Sequence, residues 1–490
     1  MITRLIYSQF ACSRRCFSSK STIFGLSSGA GKCGVAVIRV SGDASADVLR
    51  SKTKTKDLPI PRKVCLKGIL HSKTAEMIDR GLVIWFPGPS SFTGEDSVEF
   101  HVHGGVAVVS AMYDSLGSVD GVRLAEPGEF TKRAFYAGKM DLTAVEGLAD
   151  LIDAETEAQR KQALLQASGE LSKLYNRIRS RLVKCIAHME AYIDFAEDQD
   201  VGDDVLTEVK KDVGVLVADI QAHLHDHRRG ERLRSGVRAV VIGAPNVGKS
   251  SFVNLLSNRK VSIVTDVAGT TRDIVESHHD IGGYPFILAD TAGLRACTKD
   301  IVEKEGITKA KDYIELADLI ILMVDSTHFQ KNRFSNNIDQ YIDDYLNTLG
   351  YDRSIFTKTR SIVIFNKTDL LPEETLKIVQ TLPNIQCLSC HNHNGFEKVL
   401  KEVTKNLKFL CGNPNKENPH LSQQRHRYHL KQCVQNMEKF TQYLNEDCNP
   451  DMAIATQQLR SAIRNIGKIT GSVETEEILD VIFSSFCIGK

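Results

Sequence analysis

The sequence predicts an α/β plus α-helical chain, in which one α/β domain is inserted into a helical domain and a second α/β domain precedes both. Three patterns carry that reading. Strand-like Ala239-Val-Val-Ile242 opens a stretch in which strands alternate with helices to about residue 410, the signature of a parallel sheet with crossover helices. Apolar residues recur at helical steps on either side of it: Leu171, Leu174, Ile178, Leu182, Ile186, Met189 and Ile193 before, Leu430, Val434, Met437 and Leu444 after. Between residues 21 and 135, β-rich runs alternate with glycine and proline punctuation.

The elements follow in chain order. The first acidic residue is Asp43, preceded by Arg4, Arg14, Arg15, Lys20, Lys32 and Arg39 and a serine-rich stretch around Ser18 to Ser21. A basic, amphipathic, acid-free start has the composition of a mitochondrial transit peptide, so residues 1–20 are set apart from the fold. Residues 21–135 form the first domain, with strands at Gly34–Val40, Leu82–Phe86 and Ser97–His103. Residues 136–234 and 416–490 are the two halves of the helical domain, and residues 235–415 are the inserted domain. The chain has 490 residues, enough for about three domains. Lys+Arg (62) and Asp+Glu (61) nearly cancel, which excludes an overall electrostatic grip on nucleic acid and leaves local patches. No apolar run approaches the roughly 20 residues that cross a bilayer. The 12 cysteines are scattered, as reduced thiols rather than a disulfide framework.

Four motifs in the inserted domain specify GTP. Gly243-Ala-Pro-Asn-Val-Gly248-Lys249-Ser250 stands between a strand and a helix, where backbone amides of Asn246, Val247 and Gly248 can face phosphate oxygens. Lys249 neutralises phosphate charge, Ser250 can ligate Mg²⁺, and Ser251 follows on the helix. Thr271 in Gly269-Thr-Thr-Arg-Asp273 is the candidate for closing over the metal. Asp290-Thr291-Ala292-Gly293 follows a strand, with Asp290 reaching Mg²⁺ through water and Gly293 near the γ-phosphate. Asn366-Lys367-Thr-Asp369 supplies the carboxylate that guanine's paired donors require; adenine offers no such pair. Ser389 and Cys390 fall in the second base-contacting loop. Small signalling GTPases orient the hydrolytic water with a Gln after D-x-x-G. Here that residue is Leu294, so another group must do it. Arg272 and Arg295 read as salt-bridging residues of the switch segments. Asn246 reads first as a loop-stabilising hydrogen bonder, with a monovalent cation ligand as the alternative.

With these motifs and Gly34-Val-Ala-Val-Ile-Arg-Val-Ser-Gly42, Phe86-Pro-Gly-Pro-Ser-Ser-Phe-Thr-Gly-Glu-Asp96, Pro127-Gly-Glu-Phe130, Lys139-Met-Asp-Leu142, Ala149-Asp-Leu-Ile-Asp153 and the ending Phe483-Ser-Ser-Phe-Cys-Ile-Gly-Lys490, the chain resembles the MnmE (TrmE) family of tRNA-modification GTPases in its mitochondrial form. The outer motifs make the resemblance specific. It implies that the first domain binds 5-formyl- or 5,10-methylene-tetrahydrofolate through Arg39, Glu99, Lys139 and Lys490 and forms a homodimer. From residue type alone Arg39, Glu99 and Lys139 read as solvated charges. It also implies K⁺ activation through Asn246 and the loop Thr265-Asp-Val267-Ala-Gly-Thr270, and a water-positioning role for Glu303, with Glu305 the weaker alternative. Cys487 is implied in the modification chemistry either as a nucleophile or as a buried, inert thiol. The resemblance further implies a matrix protein in a heterotetramer with an FAD-dependent MnmG (GidA)-like partner. Together they would install a carbon-5 group, usually carboxymethylaminomethyl, on wobble uridines of mitochondrial tRNA. A ribosome-assembly GTPase of the Era or Der kind is the alternative class; it would lack the outer motifs.

Three patterns are set aside. Cys387-Leu-Ser-Cys390-His391 spells a haem-attachment motif but falls in the guanine-contacting loop. His101 and His103 share a strand face without an evident third ligand. Arg425-His-Arg-Tyr-His429 reads equally as an RNA contact and as a solvated helix face. The charged segment 329–360 carries no functional signal.

Overall fold

The computed structural model describes residues 21–195, 204–257, 276–289, 313–331, 338–415, 419–446, 451–473 and 476–489. The chain divides into two compact units, one of Met1–Ala149, Gln166–Gly214 and Gln432–Lys490, the other of Asp150–Leu165 and Val215–Lys431.

In the first unit, β1 (Thr22–Leu26), β2 (Cys33–Ser41), β3 (Val64–Leu70), β4 (Met77–Phe86), β5 (Ser97–Gly104) and β6 (Val122–Leu124) form one sheet in the order β3-β4-β5-β2-β1-β6. All pairings are antiparallel except β1 with β6. The period-2 alternation sends Ala36, Ile38, Val40, Val83, Trp85, Val98, Phe100 and Val102 to one face. There they pack with Val48 and Leu49 of the helix Ser45–Thr53 and Met112 and Leu116 of the helix Val106–Gly117. The other face carries Arg39 and Glu99, directly opposite in register. The expected long helix is Glu170–Phe195, packed along the helix Met452–Thr470 and tied to it by an Arg460–Glu190 ion pair of 2.8 Å. Its buried positions include Leu171, Tyr175, Ile178, Leu182, Ile186 and Met189, whereas Leu174 is only partly covered. At 3.6 residues per turn, position 175 faces the core more directly than 174.

In the second unit, β7 (Val237–Ile242), β8 (Glu276–Ile281), β9 (Tyr284–Ala289), β10 (Leu319–Asp325), β11 (Arg360–Asn366) and β12 (Ile385–Cys387) run in the order β12-β11-β10-β7-β9-β8. The sheet is parallel as far as β9, but β8 pairs antiparallel with β9 through Gly282-Gly283, both at positive φ (63° and 85°). The sequence reading of a parallel sheet lacks this edge strand. Its residues, Glu-Ser-His-His-Asp-Ile, have no apolar run to reveal it, and mixed sheets commonly carry an antiparallel edge. The central strand β10 is buried throughout. Leu319, Ile321 and Met323 face a core shared with the helices Lys249–Ser257 and Phe396–Cys411. Ile320, Leu322 and Val324 face the opposite core, with Ile342 and Leu346 of the helix Ile338–Thr348. Among the described residues no helix is long and apolar enough to cross a membrane.

Candidate functional site

Strand β7 lies between β9 and β10, so its C-terminal end is the point where the sheet's strand order reverses, the place where open α/β sheets bind ligands. The phosphate loop leaves β7 there and enters the helix Lys249–Ser257. Two glycines are dictated by close approach: a Cβ on Gly243 would run into the Met323 carbonyl, and one on Gly248 into Asn366 Nδ2. Asn246 takes a left-handed backbone (φ 61°), which Asn tolerates better than most residues, and stands exposed on the loop. Lys249 Nζ donates to the Gly243 and Ala244 carbonyls at 2.9 and 2.8 Å. Ser250 and Ser251 open the helix on an exposed surface.

Asn366 does more than the sequence reading assigns it. Its Nδ2 donates to the Val247 carbonyl at 2.7 Å, and its Oδ1 accepts from the Cys390 amide at 3.0 Å. One buried amide side chain thereby ties the phosphate loop to the second base-contacting loop. Lys367, also left-handed (φ 61°), pairs with Asp325 at 2.7 Å. Burial pushes the Asp325 carboxyl up, but Lys367 and two donors of Thr327 outweigh it and hold the group below the usual carboxylate range. Asp369 follows with its side chain toward solvent, and Ser389 is fully buried. Burial pushes the Cys390 thiol up to about 11, which keeps it protonated and inert as a ligand at neutral pH. The second Cys of the haem-like pattern therefore lines this loop. Thr265, Val267, Thr270, Thr271, Arg272, Asp290, Thr291, Ala292, Gly293, Leu294, Arg295, Glu303, Glu305, Lys490 and the segment 1–20, expected to be a transit peptide, lie outside the described residues.

The first unit gathers a second constellation. Arg39 Nε and Nη2 both donate to Glu99 Oε1, at 3.1 and 3.0 Å, with each side chain less than one-fifth exposed. They are therefore not the solvated charges that residue type suggests. The guanidinium lies over Phe92 (5.0 Å to the ring centroid) and Phe130 (5.7 Å). The Phe92 loop is cinched by its own motif: Asp96 accepts from the Gly88 amide, Glu95 accepts from Ser41 and pairs with Arg133. Exposed Lys139 runs beside that loop, its Cε 3.5 Å from the Cβ position of Gly94. It also lines a cleft of about 480 Å³ with Tyr136, Asp141, Ser172 and Asn176. The chain's end comes to the same place. Ser27 Oγ donates to the Gly489 carbonyl at 3.0 Å, and the Ile488 carbonyl lies 3.0 Å from where a Cβ on Gly25, the register partner of Arg39, would stand. Cys487 is an exposed, free thiol there, contrary to the buried alternative. Phe92, Phe130 and Arg133 escaped the sequence reading as site residues, although two stand inside quoted motifs and Arg133 three residues beyond one.

Two set-aside patterns are resolved by their partners. His101 meets Glu99 at 3.4 Å and His103 meets Asp79 at 2.9 Å, each beside a carboxylate. In Arg425–His429 the helix turns inward. Arg427 is largely buried, paired with Asp226 and Glu231 at 2.6 Å each, and His426 and His429 are buried. Of the five, only Tyr428 is largely exposed, so the cluster is neither an open RNA contact nor a solvated face.

Comparison with known proteins bears on both constellations. Residues 142–487 match the family model described as the MnmE helical domain, and residues 22–139 that of the GTP-binding protein TrmE N-terminus. The zebrafish (Danio rerio) protein named 5-taurinomethyluridine-tRNA synthase subunit GTPB3, mitochondrial, is 49% identical over 476 residues, 96% of this chain and 93% of its own. The human protein of the same name is 47% identical over 472 residues, 96% and 94% of the two chains. The tRNA modification GTPase MnmE of Rickettsia bellii is 42% identical over 469 residues, 96% of this chain and the full length of its own.

Proposed function

Because the chain belongs to the MnmE family of tRNA-modification GTPases, we propose that it is the mitochondrial, GTP-hydrolysing subunit of a system that builds a carbon-5 aminomethyl-type group on tRNA wobble uridines. The observation that carries this reading is a pair of assemblies in one chain. A phosphate loop is tied through Asn366 to the guanine-facing loop. In the other unit an Arg39–Glu99 pair stands against two phenyl rings beside the C-terminal segment.

In this reading residues 235–415 are a GTPase domain inserted into a helical domain of residues 136–234 and 416–490, after a folate-binding domain at 21–135. Lys249 and the loop amides hold the phosphates. Ser250 and Thr271 would hold Mg²⁺, and the exposed hydroxyl of Ser250 fits a hard cation. Asn246, Thr265, Val267 and Thr270 would hold K⁺, whose charge would offset that developing on the phosphates. Glu303 would orient the water that Leu294 cannot. Ser389, Cys390, Asp369 and Lys367 frame the guanine. The residues of the first unit fit a tetrahydrofolate: the flat faces of Phe92 and Phe130 suit a pterin, Glu99 can accept from its ring donors, and Lys139 and Lys490 suit the glutamate tail. The bound folate would supply the single carbon. A homodimer through the first domain is supported by the apolar, exposed Val64 and Leu66 on the edge strand β3 and Leu82 on its neighbour β4. The FAD-dependent MnmG/GidA-like partner, a heterotetramer and a matrix location complete the proposal; the vertebrate relatives' names, which include both "subunit" and "mitochondrial", support an assembly in that organelle. Those names print a taurinomethyl product, where the sequence reading gives a group that is usually carboxymethylaminomethyl.

Mass spectrometry of wobble uridines in mitochondrial tRNA after deletion of the gene tests the proposal. Loss of the modified nucleoside is expected, and the mass of the nucleoside present before deletion identifies the amine. Unchanged nucleosides with a ribosome-assembly defect would overturn it.

A further inference from the structure

The segment 329–360 has no functional signal in the sequence, yet one of its side chains reaches the phosphate loop. Tyr345 lies on the helix Ile338–Thr348 and packs its ring into the core on that side of the second sheet. Its hydroxyl accepts from the Ala244 amide at 2.8 Å and donates to the Met323 carbonyl at 3.0 Å. Burial pushes the phenol up, so it stays protonated and able to donate at neutral pH. The Ala244 amide belongs to the same peptide plane as the Gly243 carbonyl, and that carbonyl accepts from Lys249 Nζ. Held at its N–H by Tyr345 and at its C=O by Lys249, the plane cannot rotate without breaking one bond or the other. The Met323 carbonyl that takes the phenol proton is also the group that crowds Gly243.

We infer that Tyr345 is a positioning residue of the nucleotide site: its hydroxyl bolts the 243–244 peptide to the end of β10 and so fixes where Lys249 meets phosphate. The inference rests on the GTPase reading of that site. The two bonds are made within the chain itself, so the hydroxyl shapes the loop before any nucleotide arrives and is expected to act equally on ground state and transition state. Such uniform binding changes KM and leaves kcat alone.

The test is Tyr345→Phe in the full chain, which keeps the ring and removes the two hydrogen bonds. The expected result is a rise of about tenfold in KM for GTP and in Kd for GDP, the loss that accompanies an orphaned amide. Turnover at saturation should stay within about twofold, with the circular dichroism of the nucleotide-free protein unchanged and its melting temperature lowered only by the cost of the orphaned Ala244 amide. Unaltered KM and Kd would overturn the inference. So would weaker binding together with loss of the native circular dichroism or of cooperative melting, which would make Tyr345 a packing residue. If the wild-type chain neither binds nor hydrolyses GTP, the GTPase reading itself fails, an outcome distinct from both.

Discussion

Asn366 and Lys52 are two buried polar residues with opposite consequences. Asn366 has both ends of its amide satisfied by backbone groups of two different loops, so its burial fixes a geometry. Lys52 is fully buried on the helix Ser45–Thr53, with its ammonium donating to the hydroxyls of Ser72 and Ser115. Desolvation lowers its pKa to about 8. Between about pH 8 and 10.5 the folded chain has shed a proton that the unfolded chain retains. The unfolded state then binds more protons, so stability rises with pH across that window and is flat below it. Urea unfolding of the full chain should show the midpoint for loss of the first unit rising between pH 8 and pH 10.5, and Lys52→Met should flatten that rise. An identical slope in the variant would mean that the lysine is charged in the fold.

Among the elements, the C-terminal segment that ends the chain has the most specific fit. A Cβ on Gly489 would run into the Leu26 carbonyl of β1, so the segment can lie there only as glycine. Gly128 makes a similar approach to Phe483, and its amide donates to the Cys487 carbonyl at 3.3 Å. Gly489→Ala should lift the segment from β1. Tetrahydrofolate affinity, read by fluorescence titration, should fall about tenfold for two or more lost contacts, with GTP turnover unchanged; full folate affinity would separate the segment from the site. Contiguity explains what could be read beforehand. The phosphate loop and Asn366–Asp369 are short runs whose chemistry is spelled by neighbouring residues. Arg39 against Phe92 and Phe130, or Tyr345 against Ala244, are pairings between distant segments that no local spacing announces. Strand β8 lacks such a signal for a related reason: an edge strand that pairs on one side only needs no apolar run, and only His279 and Ile281 of its six residues are buried.

The whole molecule combines two chemistries in one chain, guanine-nucleotide binding in one unit and a cation–carboxylate–aromatic constellation in the other. Overall composition obscures both: a net charge of +1 argues against nucleic acid as a partner, although a tRNA substrate needs only local patches. The helical periodicity and the outer motifs were legible over nearly the whole length because they recur or are contiguous. The roles of groups such as Glu303 depend on switch segments outside the described residues. In this picture the first unit's constellation serves tRNA modification and not nucleotide turnover. This is tested most directly by Arg39→Ala as the only copy in cells, with nucleoside mass spectrometry of mitochondrial tRNA and GTP turnover of the same purified variant. Loss of the modified wobble uridine is expected, with GTP turnover within about twofold of wild type, since uncoupled sites contribute independently. Fully modified tRNA in that strain would contradict it.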